Sequence, residues 1–362
     1  MEMKYENLKG KKFKGYLALG ANAVLPYILV IPEDLDEEKE VVVESLNFEG
    51  TNMIDKITQY VIEQLKDMVE VIDDAPILIP FTPDVRGGIP YYQQLSRECF
   101  QNANNGEYEI NYPRVDLQII NTINNAKNKI KKETGRNVAD KIFLNGYSSS
   151  GVFAQRFALI HPEIVGRVLI GGASGSIPLP TMDFEYPLGI KDFRQLFGTD
   201  FNEDEYRKIQ FAYYVGELEA KTPAWEYDIE GRPIERNQNG QAINDNQIIP
   251  PMHDMSYYPR SIDIQRGKHQ RQILGEDLSQ RHKNCIEYYE QNGYNITSKI
   301  YREMGHSRIF SRSNPSFEAL LKDIILFYRN GEGFAKDISG VEEISIKTQR
   351  QREEKLDNDR VE

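Results

Sequence analysis

The stretch that most constrains this chain is Leu144-Asn145-Gly146-Tyr147-Ser148-Ser149-Ser150-Gly151. A short apolar run, Lys141-Ile142-Phe143-Leu144, stops at this cluster of small residues, and Val152 to Ile160 follows directly with helical spacing. Strand, sharp turn and helix therefore succeed one another with almost no loop, which is the context in which Gly-x-Ser-x-Gly forms a nucleophile elbow. The turn is strained, so the residues flanking it must be small. Gly146 fills the first small position, Ser150 stands where the second glycine usually is, and Gly151 follows. Ser148 would then lift its hydroxyl above the sheet edge, beside a helix N-terminus that favours negative charge. By itself the octapeptide also reads as a serine-capped helix start, so the rest of the chain has to discriminate.

Composition narrows the class. The 362 residues allow one large domain or two ordinary ones. At 40% hydrophobic and 28% charged, the chain has the make-up of a globular enzyme with a sizeable core. A net charge of −12 repels phosphates, so neither a nucleic acid nor an anionic membrane is expected as a partner. Two cysteines, Cys99 and Cys285, make no disulfide framework. Met1 to Glu6 has no apolar signal core, and no apolar run approaches a membrane span. The expectation is a cytoplasmic protein.

Taken in order, Phe13 to Leu19 and Tyr27 to Ile31 read as a hairpin joined through Gly20-Ala21-Asn22. Val41 to Leu46 is a buried-type strand that ends in the turn-rich Asn47-Phe48-Glu49-Gly50. Met53 to Met68 has helical spacing, and Pro76 to Pro80 is a short buried strand. Residues 81–112 form a long irregular excursion. Val115 to Lys132 predicts a helix with Leu117, Ile120, Ile123 and Ile130 on one side. Strands follow at Lys141 to Asn145, Arg167 to Ile170, Ile209 to Val215 and Ile296 to Met304, with helices over 151–160, 278–292 and 316–329. Strands alternating with helices predict a mostly parallel central sheet with helices on both faces.

A serine hydroxyl needs a base to take its proton, and the base needs a third group to orient it. Five histidines are present. His161 precedes Pro162 at a helix end and has a surface-packing explanation. His269 and His282 lie in or near a charged helix, and His253 lies in a long excursion. Only His306 follows a C-terminal strand and opens a loop. For the third group, Glu217 and Glu219 both follow the strand that ends at Gly216.

Elbow, strand-end carboxylates and terminal Gly305-His306, in that order, resemble the α/β-hydrolase superfamily over about residues 12–330. Asn145 to Ile160, His161-Pro162-Glu163 and Gly171-Gly172 are similar to its esterase-like branch, which includes feruloyl esterases and polyhydroxyalkanoate depolymerases. The departure is Ser150 for glycine. The resemblance implies Ser148 as nucleophile, His306 as general base and acid, and, through a Gly-x-x-acid pattern, Glu219 as the orienting carboxylate. It implies an oxyanion hole built from the backbone N–H of Ser149 and a second donor near Asn47 and Phe48. The reaction implied is acyl transfer to water, with a small acyl compound as substrate.

No cofactor or metal is expected. There is no zinc-type Cys/His spacing, and Gly171-Gly172-Ala173-Ser174-Gly175 lacks the dinucleotide fingerprint. Residues 1–335 are read as the hydrolase domain and 336–362 as a charged extension. Within the domain, 220–268 would be a lid-like insertion that, with the aromatic stretch 81–95, walls the pocket. Tyr147, Trp225, Tyr257 and Tyr258 are the expected substrate contacts. A catalytically silent binding protein of the same fold, a serine peptidase of the superfamily and a homo-oligomer remain open alternatives.

Overall fold

The computed structural model describes residues 2–6, 9–20, 23–45, 65, 68–82, 95–100, 114–173, 177–217, 272–275, 278–305, 316–331 and 334. Among them nine strands form one sheet: β1 (Glu2–Glu6), β2 (Lys12–Ala18), β3 (Tyr27–Pro32), β4 (Val41–Ser45), β5 (Ile77–Pro80), β6 (Ile142–Tyr147), β7 (Val165–Gly171), β8 (Gln210–Gly216) and β9 (Ile296–Tyr301). Their order is β1-β2-β3-β5-β4-β6-β7-β8-β9. The predicted hairpin is present as the antiparallel pair β2 and β3, and β3 runs antiparallel to β5. From β5 to β9 every pairing is parallel. This is the α/β-hydrolase fold, with its serine-bearing turn after β6. β1, which has no counterpart in the sequence reading, pairs antiparallel with β2 at the sheet's edge.

The strands are apolar because both faces of the sheet are covered. Alternate residues of β4, β6 and β7 face opposite cores. Val41, Val43, Ile142, Leu144, Val168 and Ile170 enter one. Val42, Phe143 and Leu169 enter the other. Each such aliphatic side chain contributes about 1.5–3 kcal/mol when fully buried.

The first core packs α1 (Val115–Thr134), α2 (Ser149–Ile160) and α5 (Leu278–Gln291); the second packs α6 (Phe317–Asn330). Two shorter helices, α3 (Phe193–Phe197) and α4 (Glu203–Tyr206), lie in the stretch between β7 and β8 that sequence periodicity leaves unassigned. All twelve residues of α2 are buried, which is why its sequence carries no polar stripe. α1 does carry one, but rotated from the predicted side. Its buried face is Val115, Ile119, Ile123, Ala126 and Ile130, while Leu117 is 41% exposed. The i, i+4 series through Ile119 aligns with the core, and Leu117 lies off it.

Among the described residues no helix is long and apolar enough to cross a membrane. Most of the predicted helix over 53–68, nearly all of 81–95, and the segments 220–268 and 336–362 lie outside the described residues.

Candidate active site

The elbow is built from the last residues of β6 and the first of α2. Ser148 holds φ 58° and ψ −122°, a left-handed conformation that a residue with a Cβ adopts at a cost of about 1–3 kcal/mol. Neighbouring contacts hold it there. The Ser148 N–H donates to the Gly171 carbonyl at the end of β7 (2.8 Å), and the Val152 N–H donates to the Ser148 carbonyl (3.0 Å). Gly146 is required by close approach, since a Cβ there would collide with the carbonyl of Ser150.

Ser150 does more than stay small. Its Oγ donates to the Tyr147 carbonyl (2.8 Å) and accepts the Tyr147 N–H (2.9 Å), closing the turn back onto the strand. Sequence reading missed this role, although a hydroxyl at a position usually held by glycine was the signal. Ser148 itself is only part-buried, whereas Ser149 and Ser150 are buried, so the turn exposes the middle of its small cluster.

Ser149 opens α2. Its backbone N–H belongs to the first helical turn, whose donors lie outside the helix's own hydrogen-bond ladder and carry the positive end of the helix dipole. That is the chemistry an oxyanion hole needs. The neighbouring strand ends are also tied together: the Asn145 Nδ2 donates to the buried Glu44 carboxylate (2.5 Å), where β4 pairs with β6. Tyr147, expected at the substrate, is 8% exposed. Its ring stacks on Tyr214 with centroids 6.3 Å apart.

The carboxyl ends of β8 and β9 lie on the same edge of the sheet as the turn after β6. Adjacent strands are about 4.8 Å apart, so β9 lies roughly three spacings, some 14 Å, from β6, and the chain after β9 comes toward Ser148 only by leaning back. It does lean that way. After Tyr301 the chain turns through 302–305, and the carbonyls of Met304 and Gly305 lie directly over Gly216 at the end of β8. A Cβ at Gly216 would collide with the Met304 carbonyl, which is why this strand ends in glycine. His306 is the next residue in sequence. Glu217 is exposed, accepts the Glu303 N–H on its carboxylate (3.1 Å), and donates its own N–H to the Tyr301 carbonyl (2.9 Å).

The structure thus brings Ser148, Ser149, Glu217 and the approach to His306 to one edge of the sheet. His306, Glu219, Asn47, Phe48, Trp225, Tyr257 and Tyr258 lie outside the described residues.

One histidine differs from its sequence reading, and a second, in α5 where a charged helix was expected, is buried. His161 is buried, not a surface-packing residue. Its Nε2 lies 2.8 Å from the fully buried Asp116 carboxylate, and its Nδ1 lies 3.4 Å from Glu163. Burial works against its imidazolium, but the hydrogen bonds to Asp116 and Glu163 outweigh it and raise its pKa. His282 is also buried, with Nε2 at 2.7 Å from the Ser298 Oγ, and burial pushes its pKa down to about 4. Asp116 and Ser298 are remote in sequence from the histidines they meet, so residue context alone gave no sign of those pairings.

Among the described residues no group of three or more His, Cys, Asp or Glu is placed to hold a metal ion. A cleft of about 650 Å³ lies at the opposite ends of the parallel strands, lined by Lys39, Glu40, Asp73, Asp74, Arg167 and Arg329. Its charges pair with one another, as in Lys39–Asp74 (2.6 Å) and Arg167–Glu40. In sheets of this kind ligands bind beyond the carboxyl ends of the strands, which makes the elbow edge the candidate site.

No family model matches the sequence, and no curated protein matches it. The structure is similar to those of a poly(3-hydroxybutyrate) depolymerase from Bordetella parapertussis, an S-formylglutathione hydrolase from Agrobacterium tumefaciens and a ferulic acid esterase. The depolymerase is 16% identical, with a TM-score of 0.46, covering 90% of each chain. The S-formylglutathione hydrolase is 11% identical, with a TM-score of 0.42, covering 89% of this chain and 95% of that one. The ferulic acid esterase is 13% identical, with a TM-score of 0.41, covering 86% of this chain and 97% of that one.

Proposed function

We propose that this chain is a serine hydrolase that cleaves a carboxylic ester, or a related acyl bond of a small molecule, through an acyl-enzyme. Ser148 Oγ attacks the carbonyl carbon while His306 takes its proton. The oxyanion that forms is held by the Ser149 N–H at the start of α2, with a second donor from the loop holding Asn47 and Phe48. His306 then protonates the leaving group, and a water activated by the same imidazole releases the acid. Glu219 keeps the imidazole in the tautomer that can accept the proton.

The observation that carries this reading is the backbone of Ser148. A serine is held at φ 58° between a strand and a helix by hydrogen bonds from both sides. Strain of this kind clusters where a side chain must be aimed. A helix cap alone would not require it, because capping serines sit comfortably in extended conformations.

The test is covalent labelling. A fluorophosphonate should modify Ser148 and abolish hydrolysis of p-nitrophenyl esters, and Ser148→Ala should take no label. Labelling of Ser148→Ala at the wild-type rate would sink the assignment. Trp225, Tyr257 and Tyr258 are assigned to the acyl or leaving-group wall. Alanine at these positions should change the preference across esters of graded chain length while leaving the melting temperature close to wild type. A large fall in melting temperature with preference preserved would make them structural.

A further inference from the structure

The two carboxylates after β8 do different work, and the structure assigns a role to the first. We infer that Glu217 is a positioning residue that clamps the turn leading from β9 to His306. This rests on the proposed serine-hydrolase reading.

The turn 302–305 is short and directly follows β9, the last strand of the sheet among the described residues. Glu303 within it holds φ 57°, a left-handed conformation that a residue with a Cβ keeps only with outside support. Glu217 grips both sides of this turn. Its N–H donates to the Tyr301 carbonyl at the last residue of β9 (2.9 Å), and its carboxylate accepts the Glu303 N–H (3.1 Å). The far side is held by Ser316, whose Oγ donates to the Arg302 carbonyl (2.7 Å). Below, the absence of a side chain on Gly216 lets the carbonyls of Met304 and Gly305 settle onto the end of β8.

The Glu217 carboxylate therefore meets the backbone three residues before His306. The proposed clamp acts on His306 through this turn, while the Gly-x-x-acid position, Glu219, is the carboxylate proposed to orient the imidazole.

A pair of conservative variants separates the roles. Glu217→Gln keeps the reach and an acceptor oxygen but loses the charge. Glu217→Asp keeps the charge but is one methylene too short to reach the Glu303 N–H. A clamp predicts that Gln retains turnover within about threefold of wild type. It predicts that Asp loses roughly tenfold in kcat with KM little changed, at an unchanged number of sites titrated by fluorophosphonate. Amide hydrogen exchange at Glu303 gives a readout independent of activity: slow in wild type and Glu217→Gln, faster in Glu217→Asp.

The reverse order, with Asp active and Gln reduced about a thousandfold, would make Glu217 the orienting carboxylate and overturn the inference. Equal exchange at Glu303 in all three proteins would also overturn it. Failure of the serine-hydrolase reading is distinct: Ser148 would go unlabelled while the Glu303 exchange pattern still held.

Discussion

The backbone N–H of Ser148 donates to the carbonyl of Gly171 at 2.8 Å, tying the turn after β6 to the end of β7. The turn is thereby fixed by the sheet, and its strain is set against contacts made by residues on a different strand.

Close packing under that turn makes Gly146 intolerant of a side chain. Gly146→Ala would drive a Cβ into the Ser150 carbonyl, a rigid backbone group. The expected result is a loss of about 1–3 kcal/mol in stability and a fall of at least about a hundredfold in fluorophosphonate labelling rate, because the hydroxyl is displaced from its aim. Wild-type labelling in a stable Gly146→Ala protein would contradict this account of the elbow.

Ser150 should be sensitive for a different reason. Ser150→Ala fits the space but removes a hydroxyl that bonds both the N–H and the carbonyl of Tyr147. Denaturant unfolding should show a loss of roughly 1–3 kcal/mol. Ser150→Gly, although closer to the usual motif, should lose at least as much, since it also lacks the hydroxyl. A glycine variant as stable as wild type would show that the hydroxyl contributes nothing.

The pH dependence of acylation should report the base. A histidine accepts a proton only when neutral, so kcat/KM should rise with pH through an apparent pKa near 6.5 before any perturbation. Glu219→Gln should lower turnover by several orders of magnitude. A rate independent of pH between about 5 and 8 would argue against His306.

His161 links stability to alkaline pH. Its pKa is raised in the folded protein because the bonds to Asp116 and Glu163 outweigh burial. A raised histidine contributes stability that is fully present below its unfolded value of about 6.5 and is lost as pH climbs through the folded value. The melting temperature should therefore decline from pH 6 to pH 9, and His161→Gln should flatten that decline while costing roughly 1–3 kcal/mol at pH 6. Parallel pH curves for the two proteins would remove His161 as the cause.

His282 acts on the acid side, with the opposite sign. Burial holds its folded pKa at about 4, so between 6.5 and 4 the unfolded chain takes a proton that the folded one refuses. Stability should fall over that window by on the order of 3 kcal/mol from this group. Comparing unfolding free energies at pH 7 and pH 4.5 tests it: His282→Gln should lose less on acidification than wild type. An equal loss would assign the acid sensitivity to other groups.

The elements on which this site stands were legible in the sequence because their determinants are local. An apolar run, a set of adjacent small residues and a helical repeat specify β6, the turn and α2 within twenty residues, since backbone sterics and hydrophobic spacing act over that distance. The alternation of strands and helices likewise predicted a mostly parallel sheet. What only the tertiary structure decided are pairings between groups far apart in the chain. Asp116 meets His161 across 45 residues, and Glu217 meets the Glu303 amide across 86. Gly216 is a glycine because a carbonyl from another strand's turn lies on it. Which face of α1 is buried, and whether a histidine is surface or core, follow from how the helices seat on the sheet. The hydrogen-bonding capacity of a carboxylate or an imidazole is a property of the residue; its partner is chosen by packing, which no local pattern encodes.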